Sequence, residues 1–291
     1  MTSAPRMTAI APASSSELGR MLRNRQFVFG SMVLLLLCVI AVFAPYLSPY
    51  AATDVDVINR LKPPSLRHWF GTDGFGRDVY TRVIFGARTS MIAGLFTMIC
   101  TVVAGGTIGI TAGYFRGVFD NIVMRLMDAM MAIPAILLAI AFIAILGSGL
   151  TNVVIALSVA YVPRLARIVR SVVLAVREQL YIESARAVGA RTPRILAYYV
   201  LPQVIPTILV QGSFIVAYAV IAEAALSFLG IGTPPPAPSW GNILSDGRSY
   251  LSLAPWVTVF PGLAIMAIVL SLNLLGDALR DIIDPRLRTE R

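Results

Sequence analysis

Charge is what this chain is short of. Asp, Glu, Lys and Arg make up 13% of its 291 residues, roughly half the quarter that covers a soluble domain. That shortage argues against a soluble enzyme and excludes a disordered chain. Cysteine is scarce as well: Cys38 and Cys100 both lie in apolar runs, so they read as small hydrophobes and not as a disulfide framework. The one lysine, Lys62, follows Leu61, which rules out a Gly-Lys-Ser/Thr phosphate loop. A single histidine, His68, rules out a two-histidine zinc motif. No serine stands in a Gly-x-Ser-x-Gly elbow. Gly74-Phe75-Gly76 lacks the third glycine of a dinucleotide fingerprint and reads as a turn, with Asp78 capping the helix that follows. No catalytic constellation, resident cofactor or metal site is expected.

What the chain has in abundance is apolar sequence, 57% of it, with a mean hydropathy of +0.78. No charged side chain occurs in 26–53, 89–115, 129–163, 195–222 or 249–276. About 20 apolar residues cross a bilayer as a helix, and 129–163 has room for two crossings around the turn Gly147-Ser148-Gly149. The expectation is an all-α polytopic membrane protein with six transmembrane helices, near 27–47, 90–113, 127–146, 151–164, 204–229 and 253–276. The uncharged run from Phe27 to Leu47 exceeds the usual 7–15 residues of a signal-peptide core, so it reads as a retained helix.

Arginine and lysine set the orientation. With the first 26 residues placed inside, 17 of these cations fall in inner segments and 7 in outer ones. Both termini are therefore expected in the cytoplasm, with 48–89 as an outer loop and 277–291 as an inner tail. The net charge of +9 is spread over these loops and is read as topology, not as a nucleic-acid surface. Gly105, Gly109 and Gly113 form a small-residue stripe that lets another helix approach closely, and Pro134 predicts a kink.

Residues 164–202 form the most informative segment. Leu165, Ile168, Val169, Val172, Val173, Val176 and Leu180 share one helical face, while Arg167, Arg170 and Arg177 lie off it. Gly189 suits a position just past a helix end, and Thr192-Pro193 reads as the N-cap and first residue of another short helix, ending near Leu201-Pro202. Two short helices around a glycine corner make a rigid knob or an ordinary amphipathic connector.

Glu183-Ser184-Ala185, Gly189 and Val200-Leu201-Pro202 resemble the Glu-Ala-Ala…Gly…Ile-x-Leu-Pro loop of ABC-importer permeases, with Ser184 and Val200 as the two departures. Three further stretches narrow the resemblance to the C-type permease of dipeptide and oligopeptide importers: Gly71–Asp78 with Gly86–Ser90, Leu226–Gly230 through Pro234–Gly241, and Asn273–Asp277 through Arg286. The resemblance implies a type I ABC importer permease fold with a core at 90–276. It also implies a coupling helix in the loop 164–202, where Glu183, Ser184, Ala185, Gly189, Leu201 and Pro202 would meet or shape the ATPase interface. The implied partners are a homologous second permease, two ATP-binding subunits that use ATP and Mg, and an extracytoplasmic solute-binding protein. The implied cargo is peptide; nickel or another small solute in the same architecture, and an ATPase-independent channel or scaffold subunit, are the alternatives.

Three details complete the reading. The prolines between 234 and 238 favour a stiff polyproline II ledge, which serves either to touch the solute-binding protein or to cap the helix ends, and Trp240 suits the membrane boundary. Glu223, the one acid in the fifth span, either lines the translocation pathway or hydrogen-bonds a neighbouring helix. Asp277, Asp281 and Asp284 alternate with Arg280, Arg286 and Arg288 as a solvated tail or an ATPase contact.

Overall fold

Helix starts are set by side chains that satisfy the first free amides. The computed structural model describes residues 23–283. Helix α1 (Arg25–Leu47) begins where Asn24 Oδ1 accepts the amides of Gln26 and Phe27 at 2.9 and 3.3 Å. Helix α2 (Val79–Phe115) begins at the expected cap, Asp78, whose Oδ2 accepts the Thr81 amide at 2.8 Å. This start lies well before the expected residue 90, so Arg82 and Arg88 belong to the helix and not to the outer loop. A lack of charge marks the apolar stretch, but a helix continues as far as its cap.

The third expected span, 127–146, is two helices: α3 (Gly117–Met131) and α4 (Ala135–Leu146), bent by 93° at the break. Pro134 sits in that break and has no N–H to continue the ladder. Helix α5 (Leu150–Arg177) runs unbroken through 164 into the amphipathic stretch, as its periodicity predicts. After it come α6 (Leu180–Ala187) and α7 (Thr192–Ile195). The cap of α7 is Arg191, one residue before the expected Thr192. The chain does not stop at Leu201-Pro202. Pro202 offers no amide to the preceding turn, and the Leu201 N–H reaches back to the Leu196 carbonyl. The resulting widened π turn over Leu196–Val200 leads straight into α8 (Leu201–Phe228). Helices α9 (Trp240–Gly247) and α10 (Trp256–Ile283) complete the described residues. Asp277, Arg280 and Asp281 are therefore helical, whereas Asp284, Arg286 and Arg288 lie outside the described residues.

Helices α1, α2, α5, α10 and the run Thr192–Phe228 are each long and apolar enough to cross a membrane, and the bent pair α3–α4 is a further candidate. The protein is an all-α, multi-pass membrane protein. Its central seam joins α2 and α5. A Cβ placed on Gly105 would stand 3.1 Å from the Val162 carbonyl, one on Gly109 2.5 Å from the Ala166 carbonyl, and one on Gly113 2.9 Å from Val173 Cβ. The stripe is thus the face on which α5 lies against α2 within the chain. On the other side, α10 packs against α1 and α8, with Gly30 of α1 set against the Ser271 carbonyl.

The bundle has two distinct ends. At one, the 178–200 segment sits beside the end of α2; we call this the elbow end. At the other, the clasp end, residues 48–78 meet the loops around α9. Trp240 is fully buried there among Val79, Val83 and Val220, its indole N–H donating to the Val83 carbonyl at 2.9 Å. It is a core side chain and not the boundary residue expected, because α9 folds back against α2. The proline run before it turns at Pro235-Pro236 instead of extending as a straight rod.

The seam yields the first prediction. Gly109→Leu should lower the thermal unfolding midpoint of the purified protein, corresponding to about 1–3 kcal/mol or more of overpacking. Gly106→Ala, whose added methyl meets only Ile208 Cδ1 at 3.7 Å, should unfold like the parent.

Candidate functional site

The elbow is fixed from beneath. Ile182 and Ala185, three residues apart on α6, point inward and are buried with Ile195 and Val200 against Val169, Val173 and Val176 of α5. Arg177 donates to the Tyr114 carbonyl at 2.6 Å, Arg186 lies over the Tyr114 ring at 5.3 Å, and Arg116 pairs with Glu178 at 2.7 Å. Helix α6 ends in a complete Schellman arrangement. The Gly189 amide bonds the Arg186 carbonyl at 2.9 Å and the Ala190 amide bonds the Ala185 carbonyl at 3.0 Å. Gly189 holds φ +79° there, a conformation that disfavours residues with a Cβ.

Six elbow residues were singled out from sequence, and the fold sorts them. Glu183, Ser184 and Gly189 are exposed on the outer surface of the knob, and the Ser184 hydroxyl is turned back onto the Leu180 carbonyl at 2.9 Å. Ala185 faces inward, so it can shape the elbow but offers no outward contact. Leu201 and Pro202 open α8 and are exposed as well. Around them stand Leu180, Tyr198 and Val188, the last 84% exposed. A surface that mixes a carboxylate with uncovered apolar side chains on a rigid mount has the chemistry of a docking surface.

Glu223 lies about 30 Å farther along α8 at the ~1.5 Å rise per residue, at the clasp end. It is 0% exposed. Ser227 and Ser90 donate to its two oxygens at 2.7 and 2.9 Å, with Thr233 more distant at 3.4 Å. The Trp240 amide in turn donates to Ser90 Oγ, and the Thr233 amide to Ser227 Oγ. The carboxyl therefore ties α2, α8 and the 230–240 segment together.

Sequence reasoning missed the ion cluster beside it. Arg82, 3% exposed, places Nη1 2.6 Å from Asp73 and 2.9 Å from Asp246, and Arg77 reaches the same two carboxylates at 2.7 and 2.8 Å. Asp73 is fully buried and also accepts the Phe75 and Arg77 amides. The signal was present in Arg82, a charge that becomes helical once Asp78 is taken as the cap. Nearby, the Asn59 amide 2.6 Å from Asp56 holds that carboxyl below its ordinary range. Its contribution to stability is complete above the unfolded pKa and is lost as pH falls through the lowered one.

The architecture is that of a polytopic helical membrane protein with a rigid elbow at one end of the bundle. Residues 105–289 match the binding-protein-dependent transport system inner membrane component family, and residues 18–64 match the N-terminal transmembrane domain of oligopeptide transport permease C. The chain belongs to this family: it is a permease subunit of the ABC-importer class. It is 44% identical over 271 residues to the glutathione transport system permease protein GsiD of Pectobacterium atrosepticum, covering 93% of this chain and 90% of that one. It is 40% identical over 282 residues to the dipeptide transport system permease protein DppC of Alkalihalophilus pseudofirmus, covering 97% and 92%. A chain of the inward-facing MetNI methionine ABC transporter shares the fold, with a TM-score of 0.57 and 21% identity over 69% of this chain and 96% of that chain.

Removing Asp73 leaves the buried Arg82 short of a partner. Asp73→Ala should destabilise the fold by about 3–5 kcal/mol, read as a lower unfolding midpoint and faster proteolysis within 48–78. Asp246→Ala, at a carboxylate 33% exposed, should cost clearly less.

Proposed function

We propose that this chain is one half of the membrane channel of an ATP-driven peptide importer, with six membrane crossings and both termini in the cytoplasm. The observation that carries the cargo is the likeness, over more than nine-tenths of the chain, to permeases named for dipeptide and glutathione transport. Both cargoes are short peptides, which supports peptide over nickel. The elbow supports the coupling role: Glu183, Val188 and Gly189 form the outward surface for an ATP-binding subunit, while Ile182 and Ala185 pass its displacement to α5. A second, homologous permease completes the pathway, two ATP-binding subunits supply hydrolysis with ATP and Mg, and a solute-binding protein delivers cargo at the clasp end.

The arginine bias supports this orientation. The end that carries the elbow also carries Arg116, Arg125, Arg177, Arg186, Arg191 and Arg194, as expected of a cytoplasmic face. In this reading Glu223 is a clasp and not a pathway residue, because its oxygens are occupied by hydroxyls of its own chain.

Uptake of labelled peptides by the reconstituted assembly tests the whole reading. Glu183→Arg should cut uptake about tenfold or more, the scale of losing a charge-assisted contact, while the chain remains membrane-inserted and ATP hydrolysis loses its dependence on cargo. Glu223→Gln should transport at a rate close to the parent. A chain that co-purifies with no ATP-hydrolysing partner would overturn the proposal.

A further inference from the structure

Arg164 occupies an unusual position. It lies about 20 Å from either end of α5 at the ~1.5 Å rise per residue, and its neighbours Val162 and Leu165 lie against Gly105, in the middle of the uncharged 89–115 stretch of α2. At that depth its side chain is exposed, and no acidic group among the described residues lies within ion-pair distance of it. A guanidinium cannot face hydrocarbon there without large cost, so this face of α5 is turned toward water or protein.

The surroundings suit an anion. The guanidinium carbon stands 5.9 Å from the centre of the Tyr218 ring, which holds the cation while leaving its N–H groups free to donate. Beside it a hollow of about 20 Å³ is lined by Tyr161, Gln211, Phe214 and Tyr218, room for about one water-sized group. Farther along α5, toward the elbow end, a groove of about 670 Å³ lies between α3 and α5, lined by Asn121, Arg125, Asp128 and Arg167. Asp128 and Arg167 pair there while remaining half-exposed. Arg164 and Arg167, both left uncovered on α5, mark a wetted surface and not a lipid-facing one.

We propose that Arg164 is a substrate-contacting residue of the translocation surface, donating to the carboxylate of a peptide in transit with Gln211 and Tyr218 beside it. A planar, permanently charged fork is the side chain best matched to a carboxylate. An arrangement with one cation and no competing acid can hold an anionic terminus briefly without trapping it. This rests on the peptide reading above, and it makes position 164 a determinant of which cargo passes.

The test uses the complete transporter in proteoliposomes, carrying Arg164→Cys in a chain with Cys38→Ser and Cys100→Ser. The probe is a set of di- to pentapeptides with free carboxylates. Arg164→Cys should lower their uptake about tenfold, the loss expected of one charge-assisted hydrogen-bond partner. A water-soluble cationic thiol reagent should label position 164 and restore most of the uptake, an anionic reagent of the same size should label without restoring, and transported peptide should slow labelling several-fold. Position 164 sealed to both reagents, with and without nucleotide, would overturn the proposal in favour of an ion pair with the second permease. Labelling that peptide does not slow, or uptake unchanged by Arg164→Cys, would overturn it too. If the unaltered transporter imports no member of the set, the peptide reading falls and this proposal falls with it.

Discussion

Two backbones in near contact organise this molecule. In a bilayer apolar side chains gain little by leaving lipid for one another, so helices adhere by close packing and by buried polar bonds. Gly105, Gly109 and Gly113 remove the side chains that would keep α2 and α5 apart, and the carbonyls of Val162, Ala166 and Arg170 fill the space. With α5 seated there, its far end places Val169, Val173 and Val176 beneath the elbow. Its opposite face presents Arg164 and Arg167 away from α2. The seam thus decides both where the elbow stands and which face of α5 carries charge.

The two ends are built by different chemistry. At the clasp end buried ions and a buried carboxyl cross-link segments distant in sequence: Asp73 with Arg82 and Asp246, and Glu223 with Ser90, Ser227 and Thr233. Such networks are costly to break because every partner left behind is desolvated and unpaired. At the elbow end apolar contacts dominate, and Arg116–Glu178 and Arg167–Asp128 are substantially exposed, where ion pairs contribute little. Among the described residues the one enclosed charge contact there is Arg170 with the buried Asp120, 2.5 and 2.6 Å apart. The clasp end is thus cross-linked by several buried polar groups from distant segments, whereas the elbow itself is seated mainly on apolar side chains, with Arg170 and Asp120 tying α3 to α5 beside it.

Much of this was legible from residue order, for physical reasons. Uncharged windows mark membrane segments because lipid tolerates no isolated charge, and the amphipathic stripe from Leu165 to Val176 marks the continuation of α5 because its period is that of a helix. Gly189 and Asp78 announced their roles because end geometry is local. The charge-free window placed the start of α2 too late although Asp78 marked it, because the burial of Arg82 just inside that start depends on Asp73 and on Asp246, which is far away in sequence. Nor was the bend between α3 and α4: Pro134 fixes where a helix breaks, but the 93° angle comes from what α3 and α4 each pack against. Trp240 misled for the same reason. An amphipathic ring is at home at a boundary or in a core with one carbonyl to accept its N–H, and only the fold of α9 onto α2 selects between them.

Buried and exposed charge therefore carry different information in this chain. Asp73, Arg82 and Glu223 are enclosed, and their hydrogen-bonding groups are largely taken up by their own chain, so they report on how the fold is closed. Arg164 is uncovered at membrane depth with an aromatic ring to steady it, and a pairing requirement left unmet among the described residues has to be met beyond them. A helix that is apolar toward α2 yet places a cation on another face, with no acid beside it among the described residues, has been shaped by something polar beyond them. The same α5 that is locked by glycines on one side thereby defines, on the other, the surface along which a charged solute can move.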